Sequence, residues 1–433
     1  MKSMDRYARM LGNLKTSRSI ELFSRLYGRR EGELARQLSR YTELVKCHED
    51  IFHSDKPLYI ISAPGRTELL GNHTDHNNGR VMAAAVNIDT LAAVTPREDK
   101  RVIIHSAGFS PIDISLDDVS IKEEEKGGSA ALVRGVAAGM LARDHHVGGF
   151  EAAVTSDVLS GSGLSSSAAF EVMICVILDA LYNGSSLSAL ERAEIAQQAE
   201  SEYFGKPSGL MDQLASAAGG LVYIDFKNLP DAPELHPLTF DFAEHGYSIA
   251  VVNTRGSHNN LTGEYASIRN EMEHVASVFN EKNLRRVRED EFWQNIGQVR
   301  HACGERACLR AAHFFNENER VRQAEKAARS NDCDRLKQLI LLSGRSSWEL
   351  LQNVYVPGST QPLSLALALS EDVLRDRGAW RVHGGGFAGT ILSIVPDDLL
   401  DSFIRRMESV FGAGCCHVLS IRPEGAMCVM HEA

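Results

Sequence analysis

Residues 33–52, ELARQLSRYTELVKCHEDIF, place Leu34, Leu38, Tyr41, Leu44, Val45, His48 and Ile51 on one helical face. The spacing predicts an amphipathic helix docked on a domain, with no chemistry of its own. From residue 58 the texture changes. LYIISAP is a short apolar run closed by Pro-Gly, and VMAAAVNIDTLAAVTP and VIIHSAG read as strands or buried segments. Over 188–203 the period is helical again, and Ser188 with Glu191 has capping-box spacing, so the helix should begin at Ser188. A second mixed region opens near residue 248 with SIAVVNT. Charged helical stretches fill 264–350, and GTILSIVP reads as a strand. The soft stretch KNLPDAPELHPLTF, within 220–245, separates the two regions. The organisation expected is a helical extension over 1–56, a first domain over 57–235 and a second over 236–433.

A chain of 433 residues exceeds one compact core. A hydrophobic content of 43% with 24% charged residues is that of a soluble globular protein. Lys plus Arg number 46 against 57 Asp plus Glu, a net charge of −11, which argues against nucleic-acid or anionic-membrane surfaces. Eight cysteines, at 47, 175, 303, 308, 333, 415, 416 and 428, include no C-x-x-C pair and read as reduced thiols. The basic first twenty residues lack the apolar core of a secretory signal, and no stretch approaches the roughly 18–20 apolar residues that span a bilayer. A monomer in the cytoplasm is expected.

Four stretches carry candidate chemistry. In VLSGSGLSSSAAFEVMICVILDAL, Gly161, Ser162 and Gly163 lead into serines and a long apolar helix. Glycines admit close backbone approach, and the free N–H groups of a helix start attract anions. Capping alone needs one serine, not three. The Walker A pattern is absent from the chain. In HGGGFAGTILSIVP, Gly384, Gly386 and Gly389 satisfy G-x-G-x-x-G, but a strand follows where a dinucleotide fold requires a helix. In AESEYFGKPSGLMDQLASAAGG, Glu200 ends one helix and Asp212 opens another across a tight loop. Such a pair can serve as metal ligand and proton acceptor, although carboxylates at helix ends are common on surfaces. A fourth stretch, APGRTELLGNHTDHNNG, crowds Asn72, His73, Asp75 and His76 into one polar loop that could be a solvated turn or a polyol site.

Together and in this order, these motifs resemble the superfamily of galactokinase, homoserine kinase, mevalonate kinase and phosphomevalonate kinase (the GHMP kinases). APGRTELLGNHTDHNNG is similar to the galactokinase-type sugar signature, GSGLSSSA to the ATP loop, GGGFAGT to the C-terminal glycine loop, and GLMDQ to the segment bearing the catalytic aspartate. The resemblance runs from about residue 58 to the C-terminus. It implies a two-domain α+β fold, with a first domain like ribosomal protein S5 and a ferredoxin-like α/β second domain. The active site would lie in the cleft between them.

By the same resemblance Asp212 and Arg66 are the catalytic residues, while Asn72, His73, Asp75 and Tyr265 bind the sugar. Gly161, Ser162, Gly163, Leu164, Ser165, Ser166, Ser167 and Ala168 hold ATP, with Gly384, Gly385 and Gly386 as the glycine loop. Ser167 and Glu200 hold Mg²⁺. The implied activity is ATP-dependent phosphorylation of the C1 hydroxyl of a galactose-type sugar, with ATP and the sugar as the partners. Asn72 stands where many galactokinases carry a glutamate that meets the C6 hydroxyl. Galacturonate is therefore a rival substrate, and a non-catalytic sugar sensor a further alternative.

Overall fold

The computed structural model describes residues 2–28, 30–158, 163–206, 208–229, 232–256, 261–358 and 360–432. Three helices come first: α1 (Lys2–Asn13), α2 (Ser17–Tyr27) and α3 (Glu33–Phe52). Then follow β1 (Leu58–Leu70), β2 (Arg80–Pro96), β3 (Arg101–Ser106), β4 (Ile112–Ser115), α4 (Ser129–Leu141) and β5 (Phe150–Ser156). The serine motif starts α5 (Ser166–Tyr182), and α6 (Ala189–Gln198), α7 (Met211–Ala218), β6 (Leu221–Asp225) and β7 (Glu234–Leu238) complete the first region. In the second lie β8 (Tyr247–Asn253), α8 (Thr262–Val278), α9 (Glu289–Gln294), α10 (Ile296–Cys303), α11 (Glu305–Arg329) and α12 (Cys333–Ser346). The chain ends with α13 (Pro362–Leu374), β9 (Ala379–His383), β10 (Thr390–Pro396), α14 (Leu400–Phe411), β11 (Cys416–Leu419) and β12 (Met427–Glu432).

The larger sheet runs β12-β1-β2-β5-β3-β4, with β6 and β7 branching from β2. The branch exists because β2 is 17 residues long: Thr90–Pro96 pairs with β5, while Arg80–Ala84 pairs with β6. Alternation along the strands feeds two cores. Ile61, Ala63, Ala92 and Val94 face α4–α7, and Ile60, Leu91, Ala93 and Ala153 face the N-terminal helices. Helices cover both faces, so these strands are nearly continuous apolar runs. The smaller sheet, β11-β8-β10-β9, is antiparallel. Among the described residues no helix is long and apolar enough to cross a membrane, and all eight cysteines are free thiols.

Helix α3 spans the residues its period indicated, and Ser188 caps α6 by accepting the Glu191 N–H. Ile51 lies at the end of α3 and is exposed. Two expectations change. The boundary at 235/236 falls inside β7, which pairs with β6 in the larger sheet. The C-terminal β12 returns beside β1, so the last residues complete the larger sheet and not the smaller one.

Candidate active site

Strand β1 does not stop at Pro64-Gly65. Its register against β2 shifts between Pro64 and Arg66, and it continues to Leu70. A bulge tolerates proline, which has no N–H to give the ladder. The strand here passes hard against the serine loop: Arg66 N–H donates to the Leu164 carbonyl at 3.2 Å. A Cβ on Gly65 would stand 2.9 Å from that same carbonyl oxygen.

Arg66 and Asp212 form a two-pronged ion pair. Nε donates to Oδ1 at 2.7 Å and one terminal nitrogen to Oδ2 at 2.8 Å, while the other reaches the Gly163 carbonyl at 2.5 Å. Ser165 adds a third donor. It sits at the start of α5 with φ +57° and makes no capping bond; its hydroxyl donates to Asp212 instead. Burial alone would raise the Asp212 carboxyl, but Arg66 and Ser165 outweigh it and hold the group below its ordinary range. Asp212 is therefore ionised at neutral pH, and its side chain is 30% exposed toward the cleft.

Behind it, the Ser167 hydroxyl donates to Glu200 Oε1 at 3.0 Å. Glu200 does not end α6 but lies in a π-helical turn, Ala199–Phe204, that carries the helix on. Gln213 holds the other oxygen, donating to Glu200 Oε2 at 2.9 Å and to Glu171 at 3.0 Å. Among the described residues no three His, Cys, Asp or Glu side chains gather as a metal site. The Ser167–Glu200 pair nevertheless suits Mg²⁺, which prefers few protein oxygens and leaves positions for water and phosphate. A cation already stands there: Lys206 Nζ lies 2.7 Å from Glu200 Oε1.

The sugar signature and Tyr265 of α8 are laced to the glycine loop carbonyl by carbonyl. Asn72 Nδ2 donates to Gly384 O at 2.7 Å, His73 Nε2 to Gly385 O at 2.9 Å and the Tyr265 hydroxyl to Gly386 O at 2.9 Å. Glycine is required for this closeness. A Cβ on Gly385 would stand 2.7 Å from the Tyr265 ring, and one on Gly386 (φ +82°) would strike the Asn353 carbonyl. Asn72 is a hub and not an open contact. Its second donor goes to Glu68 at 3.2 Å, and its oxygen accepts from Asn353 at 2.8 Å and Ser347 at 3.3 Å. Each donor and acceptor of its amide is met by a protein group in this structure.

Asp75 is different. It sits in the short turn Asp75–Asn77, and Gly209, three residues before Asp212, lies so close that a Cβ there would overlap its carboxylate. Burial first, then the charges of Asp212 and Glu68, raise its carboxyl to about 6. A cleft of about 270 Å³ opens beside Asp212, lined by Arg66, Ser165–Ser167, Lys206, Asp212, His383 and the glycine loop. Gly163 (φ +73°) packs against Thr390 and His383 beyond the glycine loop. Leu164 and Ala168 are buried packing residues, while Gly161 and Ser162 lie outside the described residues.

Sequence reasoning missed several supporting side chains. Glu68 is buried and ion-paired to Arg381 of β9 at 2.7 Å, and Thr67 bonds His383 at 3.0 Å, so β1 is bolted to the second sheet. Glu68 lies two residues past Arg66, and that period-2 spacing would have exposed it had β1 been carried past Pro-Gly. Lys206 was visible in the sequence between the two carboxylates.

Comparison with known proteins places this geometry. A family model described as the galactokinase galactose-binding signature matches residues 46–96, and one for the GHMP kinase N-terminal domain matches 131–220. The galactokinase of Actinobacillus pleuropneumoniae is 34% identical over 349 residues, 80% of this chain and 87% of that protein. That of Glaesserella parasuis is 34% identical over 354 residues, with the same coverage. The structure of Lactococcus lactis galactokinase complexed with galactose superposes with a TM-score of 0.78 at 25% identity, covering 90% of this chain and all of that one. A mevalonate kinase structure shares the fold at a TM-score of 0.60 and 14% identity, covering 84% of this chain and 98% of that one. On the strength of the 34% identity across four-fifths of its length, and of the galactose-binding signature matched over residues 46–96, the chain belongs to the galactokinase family of the GHMP kinases.

Proposed function

We propose that the protein transfers the γ-phosphoryl group of ATP to the C1 hydroxyl of galactose. The observation that carries this reading is the Arg66–Asp212 pair, exposed at one edge to a cleft shared by the serine loop and the glycine loop, with Asp75 alongside. Phosphoryl transfer passes through a loose transition state in which positioning and charge neutralisation matter more than strong base chemistry. A carboxylate held below its usual range suits that role. Asp212 accepts the hydrogen bond of the C1 hydroxyl and orients its oxygen in line, taking the proton as the new O–P bond forms. Arg66 neutralises charge on the transferring group. The free N–H groups at the start of α5 receive phosphate oxygens. Asp75 takes sugar hydroxyls, with His73 and Tyr265 fixing the neighbouring wall. Ser167 and Glu200 would hold Mg²⁺, which supplies charge neutralisation to the phosphates when bound.

The galacturonate reading rested on Asn72 bringing amide donors and removing a negative charge from C6; the amide meets Glu68, Gly384, Asn353 and Ser347 instead, and the signature matched is a galactose-binding one. The sensor reading has no support from a site that brings Arg66, Asp212, Ser167 and Glu200 together. The test is ADP release with galactose, galacturonate, N-acetylgalactosamine, glucose and arabinose. Galactose is expected to give the highest kcat/KM, and Asp212→Asn and Arg66→Ala to lose about 10²-fold or more of it with the fold intact. Undiminished turnover in either variant contradicts the mechanism.

A further inference from the structure

Lys206 has no role in the account above, yet it stands at the centre of the site. Its backbone N–H donates to the Glu200 carbonyl at 3.1 Å, and its ammonium group lies 2.7 Å from Oε1 of the same residue. Glu200 is almost fully buried, whereas the Lys206 side chain is 58% exposed. The ammonium thus reaches inward over the surface of the cleft and is tethered there by one carboxylate. That oxygen is also the one bonded to Ser167, so the ammonium occupies the side of the pair that a divalent cation would need.

Charge counting sharpens the point. Among the described residues lining the cleft, Arg66 and Lys206 are the cationic side chains, and Arg66 already carries Asp212 on two of its nitrogens. A nucleoside triphosphate brings several negative charges into this space. No Walker lysine exists to meet them. A metal ion on Glu200 and Ser167 would repel the ammonium from its carboxylate, and the nearest anions would then be the arriving phosphates.

We propose that Lys206 exchanges partners: it rests on Glu200 when the cleft is empty, and contacts the phosphate oxygens once metal and nucleotide bind. The inference rests on the kinase reading above. It makes Lys206 a competitor of the metal in the free enzyme and a catalytic residue in the loaded one, two effects of opposite sign on binding.

The experiment uses the full chain and Lys206→Met, with Lys206→Arg as the charge-preserving control. Mn²⁺ alone, titrated by its paramagnetic resonance signal, should bind Lys206→Met at least threefold more tightly than wild type. Calorimetry with the magnesium complex of a non-hydrolysable ATP analogue should show at least tenfold weaker binding to Lys206→Met and a change within threefold for Lys206→Arg. Galactose affinity should be unchanged in both, which also reports an intact fold. Equal nucleotide affinity in Lys206→Met and wild type overturns the phosphate contact, and weaker Mn²⁺ binding overturns the competition. A wild-type protein that binds the nucleotide but phosphorylates no sugar would instead refute the kinase reading and leave the Lys206 measurements to stand by themselves.

Discussion

At the scale of a residue, Asp75 is the group whose state a change of pH can read. Its carboxyl is lifted from 3.8 to about 6, first by burial and then by the neighbouring charges of Asp212 and Glu68. A sugar whose hydroxyls donate to Asp75 binds the ionised form best. Galactose binding should therefore strengthen as pH rises through about 6 and weaken below it, by up to tenfold per pH unit. The effect on folding has the opposite sign: the folded state favours the protonated acid, so this contribution to stability is complete below the ordinary value and lost as pH rises through about 6. Measuring kcat/KM for galactose from pH 7.5 to 5 tests this, with Asp75→Asn expected to be much flatter. A wild-type profile as flat as that of the variant would remove Asp75 from the binding site. Asn72, one turn away, shows the limit of arguing from residue type. Its chemistry permits a sugar contact, but Glu68, Gly384, Asn353 and Ser347 consume all of it.

At the scale of an element, the glycine loop between β9 and β10 acts as one piece with the sugar signature and α8, because the Gly384 and Gly385 carbonyls accept from Asn72 and His73 and the Gly386 carbonyl accepts from Tyr265. Gly386→Ala should break this register. Its φ of +82° is unfavourable for alanine, and the added methyl meets the Asn353 carbonyl. A fall in kcat/KM of about tenfold or more is expected, shared between ATP and galactose, since both walls of the cleft shift. An effect confined to ATP would show that the two loops move independently. Much of the element pattern was legible from the chain itself: α3, α6 and β10 follow from their periods and from one capping box. The reach of β1 was not. Pro64-Gly65 signals a break locally, and only the neighbouring β2 and serine loop turn it into a bulge that lets the strand deliver Arg66 and Glu68. The start of α5 was legible from the glycines and serines before it, but the donation of Ser165 to Asp212 depends on two elements far apart in sequence.

At the scale of the molecule, the N-terminal helices form a third layer and not an appendage. Their apolar faces close the side of the larger sheet that α4–α7 leave open. A buried charge locks them on. Asp89 of β2 accepts from Tyr27 at 2.6 Å, from Arg40 at 2.6 Å and from Arg422 at 3.0 Å, drawing α2, α3 and the approach to β12 to one carboxylate. Burial pushes its carboxyl upward, but Arg40 and Arg422 pull it below 3.8, so its stabilising contribution is present above that value and lost as pH falls through the depressed one. Asp89→Ala leaves a fully buried Arg422 unpaired and should cost about 3–5 kcal/mol by urea unfolding. A loss under about 1 kcal/mol would mean the layer is held by apolar packing alone.

The most direct measurement of the central claim follows the phosphate itself. With ATP, Mg²⁺ and galactose carrying ¹³C at C1, nuclear magnetic resonance should show ¹³C–³¹P coupling appearing at the anomeric carbon with wild-type protein and absent with Asp212→Asn. Phosphate on any other sugar carbon, or C1 coupling that appears as fast with Asp212→Asn as with the wild type, would contradict the account.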